Sequence, residues 1–224
     1  MQLNEVVLVD IVRTAFGRAG EKGIFWNTRA EDLAVPLLKA LIECNPEIEP
    51  AMIEDSIWGV TNQVKEQAST LGRMITMLAD WGWEIPGCSI DRMCASGLTA
   101  IGFAATTIMS GMADCLIAGG VEHLGHVPMG FMRVHHPRAA DVMGDESALV
   151  MGLTVKISMT SFEFTRNGRR LCGRIPEKGG SCHGVGQISP MIVPIDRGTG
   201  RTASDAADTD QHPRPGTTVE KLAG

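Results

Sequence analysis

No stretch of the sequence approaches the roughly 20 consecutive apolar residues that a membrane-spanning helix needs. The opening residues, MQLNEVVLVDIVRT, carry no basic segment followed by a long apolar run and a cleavage site, so no secretory leader is expected. Both absences point to a cytoplasmic protein. The six cysteines (Cys44, Cys88, Cys94, Cys115, Cys172 and Cys182) include no CxxC pair, which argues against a zinc knuckle and a dense disulfide framework. Blocks of like charge are missing too. The net charge is −6, with basic residues spread rather than striped, which removes the basis for a nucleic-acid surface. No internal repeat with a period of about 20–50 residues is visible. What is present is 224 residues with 44% hydrophobic side chains, enough for one large domain or a core with an appendage.

Short β-branched runs alternate with helical patterns. VVLVDIVRT (6–14) reads as a buried strand, followed by a glycine-containing loop from Phe16 to Gly23. A helix follows, with Thr28 as its expected cap, Glu31 three residues on, and Leu33, Leu37, Leu38 and Leu41 at helical spacing. IEDSIWGV (53–60) is a second strand. Residues 69–81 form a helix with Leu71, Met74, Ile75 and Leu78 on one face. CSIDRM (88–93) is a third strand, which turns directly into a helix carrying Leu98, Ile101, Ala104, Ala105 and Ile108, and DCLIAGGVEH (114–123) is a fourth. Strands alternating with helices imply an α/β layered fold with parallel strands, whose functional site tends to lie beyond the strands' carboxyl ends. Past Ala139 the pattern weakens, and order returns only at IVPID (192–196).

The residues with the clearest chemistry are DRMCASGLTAI (91–101), where Cys94 stands between a strand and an apolar helix. A helix N-terminus favours thiolate over thiol and so activates a nucleophile, and the small neighbours Ala95, Ser96 and Gly97 leave room for a carbonyl substrate. The alternative reading is a small buried residue at a tight turn. Glu122, His123 and His126 follow the fourth strand at a spacing compatible with metal binding, but read more simply as loop and interface residues. His135 and His136 read as surface residues. Arg13, Arg18 and Arg29 are either a phosphate-binding set or ties between loops.

Five segments in order, VDIVRTAFGR, NTRAEDL, DRMCASGLTAI, GGVEHLGHVPM and VMGLT, make the chain resemble the thiolases from Val6 to about Thr154, most closely the 3-ketoacyl-CoA thiolase of fatty-acid β-oxidation. The resemblance implies a thiolase-like layered fold, here its N-terminal half, with a mixed parallel sheet covered by helices in 1–122 and an incomplete loop domain in 123–224. It implies Cys94 as the acyl-accepting nucleophile, its backbone N–H helping to form an oxyanion hole. It further implies CoA as co-substrate with no tightly bound cofactor or catalytic metal, acyl-CoA as substrate, and subunits paired through their N-terminal halves, possession of a place in a β-oxidation complex included. Met151 in VMGLT, and Arg214 and Thr217 in HPRPGTT, fall on positions that touch CoA in that family.

The chain departs from the family's pattern in two places. Residues 155–190 are rich in Gly, Arg and Ser where an Arg- and Ala-rich helix is expected. A frame shift is one explanation, because suitable codons for RIPEKGGSCHGVGQISP read one base later spell AFQRKAAHAMGWGKFLP. The family's Gly-His-Pro base and Cys-x-Gly-x-Gly cysteine come from a second α/β half that is expected to be absent here. CHGVG (Cys182 to Gly186) matches the latter by letter, but lies too early and has no strand before it. A noncatalytic subunit that dimerises or docks into a complex is therefore an alternative. A cysteine hydrolase would need a histidine aimed at Cys94, and the helix after it supplies none.

Overall fold

The computed structural model describes residues 3–130, with positions 136, 138, 141–142, 187–188, 191–192, 206–207 and 210–211. The chain divides into two compact units, Met1–Phe131 with Lys178–His212, and Met132–Glu177 with Pro213–Gly224. Nearly all the described residues belong to the first.

Its centre is a parallel sheet of β2 (Asp55–Gly59), β3 (Cys88–Ile90) and β4 (Leu116–Gly120), in the order β3-β2-β4. Helix α1 (Ala30–Cys44) and helix α2 (Leu71–Leu78) cover one face, and α3 (Ser96–Met109) covers the other. The α/β layered architecture read from the sequence is what the structure shows. Alternation along β2 assigns the faces. Trp58, with Val60 just beyond the strand, packs on Ala34, Leu38, Leu71 and Ile75, whereas Ile57 packs on Ala100 and Ala104. Leu38, Leu71, Ile75 and Val60 are completely buried, each side chain stabilising the unit by about 1.5–3 kcal/mol through burial.

Four expectations are corrected. The run 6–14 is not a buried strand. Only β1 (Val12–Arg13) is extended in a ladder, pairing in parallel with β5 (Gln187–Ile188), and Val7, Leu8 and Val9 are exposed. A run rich in valine and leucine has strand propensity, but it becomes a buried strand only where a neighbouring strand and a covering layer receive it. Helix α1 is not capped by Thr28. Its N-cap is Arg29, the Thr28 hydroxyl is buried without a hydrogen-bond partner, and the Ala30 N–H donates instead to the Glu66 carboxylate at 2.9 Å. In α2 the buried stripe is Leu71, Gly72, Ile75 and Thr76, while Met74 and Leu78 are exposed.

The fourth correction concerns α3, which turns its small residues, Ser96, Thr99, Ala100 and Ala104, toward the sheet, leaving Leu98, Ile101 and Phe103 exposed. The cause lies in the strands. Gly59 of β2 has backbone atoms of Ser96 and Gly97 where a Cβ would stand, and Gly120 of β4 abuts Gly97. Glycines at those two strand ends make the sheet shallow there, so the first turn of α3 sits directly on it and only small side chains fit between.

Two further short strands, β6 (Met191–Ile192) and β7 (Ala206–Ala207), pair antiparallel near the IVPID segment. Two consecutive polar residues tie the end of this unit to its beginning. Asp210 accepts two hydrogen bonds from the Arg13 guanidinium, at 2.8 and 3.0 Å, and one from the Phe16 N–H. Gln211 accepts from the Arg18 and Ile24 N–H groups.

Candidate active site

Because β2, β3 and β4 are parallel, their carboxyl ends open at one edge of the sheet, and the segments leaving them meet there. Cys94 lies in the turn between β3 and α3, two residues before the helix starts, and is exposed. That excludes the buried-residue reading. Met93, immediately before it, is in the left-handed region at φ 51°, a conformation that costs a non-glycine residue on the order of 1–3 kcal/mol unless its surroundings hold it.

The holding contacts are explicit. The Met93 N–H donates to Asp91 Oδ1 at 2.7 Å, and the Arg92 N–H to Ser96 Oγ at 2.8 Å. The Met93 carbonyl accepts from Ser96 Oγ at 2.6 Å, from the Ser96 N–H at 3.0 Å, and from Thr61 Oγ1 at 2.9 Å. Thr61 follows β2 and is in turn attached to the segment after β4, its N–H donating to Glu122 Oε2 at 2.8 Å. Glu122 also accepts from the Asn62 side chain at 2.8 Å, the Gln67 side chain at 3.0 Å and the Asn62 N–H at 3.3 Å. One carboxylate thus gathers the loops after β2 and β4 beside the cysteine turn.

Cys94 differs from the other strand-associated thiols. Burial, with Asp55 nearby, pushes the Cys88 thiol up, and burial with Glu54 does the same to Cys115. Neither combines exposure with a helix start.

Glu122, His123 and His126 are not loose loop residues. His123 is buried, its Nδ1 accepting from the His126 N–H at 3.0 Å and its Nε2 facing the Phe25 carbonyl at 3.0 Å. The two rings stack at 3.9 Å between centroids. His126 stands between Glu66 Oε1 at 2.9 Å and the Trp26 carbonyl at 2.5 Å, and its doubly protonated form donates to both. Glu66, His123 and His126 bring three ligand atoms close together, but each ring nitrogen already faces a protein partner, so the set reads as a hydrogen-bonded tie between loops. Burial raises the Glu66 pKa, but the hydrogen bonds from His126 and Ala30 and the charge of His126 outweigh it, leaving that pKa below the ordinary carboxylate value. A lowered folded-state pKa means stability that is present above the unfolded value and lost as pH falls through the folded one. The melting-temperature advantage of wild type over Glu66→Gln is therefore expected above about pH 5 and should shrink as the pH falls below about 4. An advantage that stays constant across that window contradicts the assignment.

Arg13 and Arg29 serve as ties. Arg13 pairs with Asp210, and Arg29 pairs with Glu31 at 2.6 Å, which with Glu66 holds the guanidinium above its usual value. An apolar cavity of about 380 Å³, lined in part by Phe16, Phe25, Trp26, Leu37 and His123, opens beside these loops, and Cys94 does not line it. His136 is exposed. Met151, Arg214, Thr217, His135 and Cys182 lie outside the described residues. Sequence reading missed Thr61 and the gathering role of Glu122. The available signal was their position two residues past a strand ending in glycine.

The family model described as "Thiolase, N-terminal domain" matches residues 6–224. The chain belongs to the thiolase family. It is 38% identical over 225 residues to a 3-ketoacyl-CoA thiolase of Marinobacter nauticus and 36% identical to one of Colwellia psychrerythraea, in each case across 99% of this chain and 57% of the relative. The chain thus spans little more than half the length of these curated relatives. Among solved structures, the acetyl-CoA acetyltransferase of Bacillus anthracis is similar at a TM-score of 0.70 and 25% identity, covering all of this chain and 58% of that one. This thiolase chain therefore shares its fold as well as its motifs with the family.

Proposed function

We propose that this chain supplies the nucleophile-bearing half of a 3-ketoacyl-CoA thiolase, with Cys94 accepting the acyl group. The observation that carries the reading is an exposed cysteine at a strand-to-helix turn, preceded by a residue held in the left-handed region. In the proposed reaction the Cys94 sulfur attacks the 3-keto carbon of a 3-ketoacyl-CoA. The C2–C3 bond breaks, its electron pair goes to C2, and C2 takes a proton and leaves as acetyl-CoA. The shortened acyl group stays on Cys94 as a thioester. The sulfur of free CoA then takes it, and the proton that CoA loses returns the cysteine to a thiol. The Cys94 N–H is the proposed donor to the oxyanion in both steps.

The proposal extends to Met151, Arg214 and Thr217 as contacts for CoA, to fatty-acid degradation as the setting, and to a cytoplasmic homodimer or a place in a β-oxidation complex. We likewise propose a boundary between an α/β core and a loop domain near residue 122, and a frame-shift origin for residues 155–190. The curated relatives' names support the substrate class. A noncatalytic subunit is favoured by one observation, the exposed Leu98, Ile101 and Phe103 on α3, an apolar surface suited to protein contact.

Intact-mass spectrometry after incubation with acetyl-CoA or a 3-ketoacyl-CoA separates the two. An acyl adduct mapping to Cys94 supports the transferase, and a folded, unlabelled protein supports the noncatalytic subunit.

A further inference from the structure

We propose that Thr61 is a positioning residue for Cys94, its hydroxyl aiming the Cys94 N–H through the Met93 carbonyl; this rests on the reading of Cys94 as nucleophile. The Met93 carbonyl and the Cys94 N–H belong to one planar trans peptide, so they point in opposite directions and cannot turn independently. Whatever fixes the carbonyl oxygen fixes the N–H proposed to meet the oxyanion. That oxygen has donors on two sides. Ser96 contributes its hydroxyl and its N–H from within the turn, which restrain the peptide locally. Thr61 contributes its hydroxyl from 32 residues away, at 2.9 Å.

The distant donor is the one that references the turn to the sheet. Thr61 follows β2, and Glu122, in the segment after β4, holds its N–H. Its hydroxyl also lies 3.4 Å from that of Ser96, so the two donors converge on the carbonyl together. Without the Thr61 hydroxyl, the local bonds remain but the peptide loses its reference to the parallel strands. An oxyanion donor is effective only when it is already aimed at the developing charge, so a small rotation of this peptide weakens acyl transfer more than it weakens reactions that develop no oxyanion.

The test compares two reactions of Cys94 in the whole chain. Acylation by acetyl-CoA passes through a tetrahedral oxyanion, whereas alkylation by iodoacetamide does not. Thr61→Val keeps the shape and the backbone bond to Glu122 while removing the hydroxyl, and Thr61→Ser keeps the hydroxyl. Thr61→Val should acylate about tenfold more slowly, with alkylation within about twofold of wild type and an unchanged melting temperature, and Thr61→Ser should recover the acylation rate. Wild-type acylation in Thr61→Val, a parallel fall in both reactions, or a serine variant as slow as valine each overturns the role of Thr61. Failure of the underlying reading looks different, because an adduct then persists in Cys94→Ala or never forms on wild type.

Discussion

Cys94→Ala is expected to abolish the acyl adduct and to remove the fastest phase of iodoacetamide labelling without lowering the melting temperature. The side chain is exposed, so its loss opens no cavity and leaves no buried group unpaired. Reactivity is a different matter. The thiolate is the attacking species, and Cys94 stands exposed in the turn before the 14-residue α3. Cys88 and Cys115 are partly buried with their thiols pushed up, and each unit of upward shift cuts the thiolate fraction near neutral pH about tenfold. Labelling followed by peptide mapping should therefore find Cys94 modified before Cys88 and Cys115. Equal rates at Cys94 and Cys88 would remove the claim that exposure at the turn sets this cysteine apart, and an acyl adduct surviving in the alanine variant would move the nucleophile elsewhere.

Glu122→Ala is expected to be the most destabilising single change at the site, by about 3–5 kcal/mol, because it removes the acceptor of four hydrogen bonds at once. The carboxylate accepts from the Thr61 and Asn62 N–H groups and from the side chains of Asn62 and Gln67. Asn62 and Gln67 are buried, so water cannot replace the lost acceptor cheaply. Gln67 Nε2 keeps the Asn62 carbonyl, which limits the loss. For a chain of this size the change corresponds to a fall of about 10 °C in melting temperature. Glu122→Gln should fall between wild type and alanine, since it preserves the shape and one acceptor oxygen but turns an amide donor toward other donors. Urea unfolding measures the difference directly. A loss under about 1 kcal/mol for the alanine variant would mean that the loops after β2 and β4 hold together by other contacts.

The two changes separate chemistry from architecture. Cys94 can be removed with the turn intact, whereas removing Glu122 releases the loop from which Thr61 reaches that turn. The combined result therefore bears on whether the nucleophile turn is rigid by its own bonds or by attachment to neighbouring strands. Asp91, Arg92 and Ser96 supply the former, and Thr61 with Glu122 the latter.

The sequence by itself determined the α/β alternation, the parallel order of the layers as a class, and the placing of Cys94 between a strand and a helix. These are written in local periodicity and in short runs such as CSIDRM and SGLTAI, which supply the β3 strand and the start of α3. Only the tertiary structure decided which side of α3 is buried. The large residues Leu98 and Ile101 suggested one face, but Gly59 and Gly120 on the strands below admitted only small ones, and that choice belongs to the surface the helix meets. The same holds for the Ala30 N–H, capped by Glu66 rather than by Thr28, and for Arg13, paired with an aspartate 197 residues away. Burial and hydrogen bonding are settled between segments, so a local pattern shows what a segment can form and its neighbours determine what it touches.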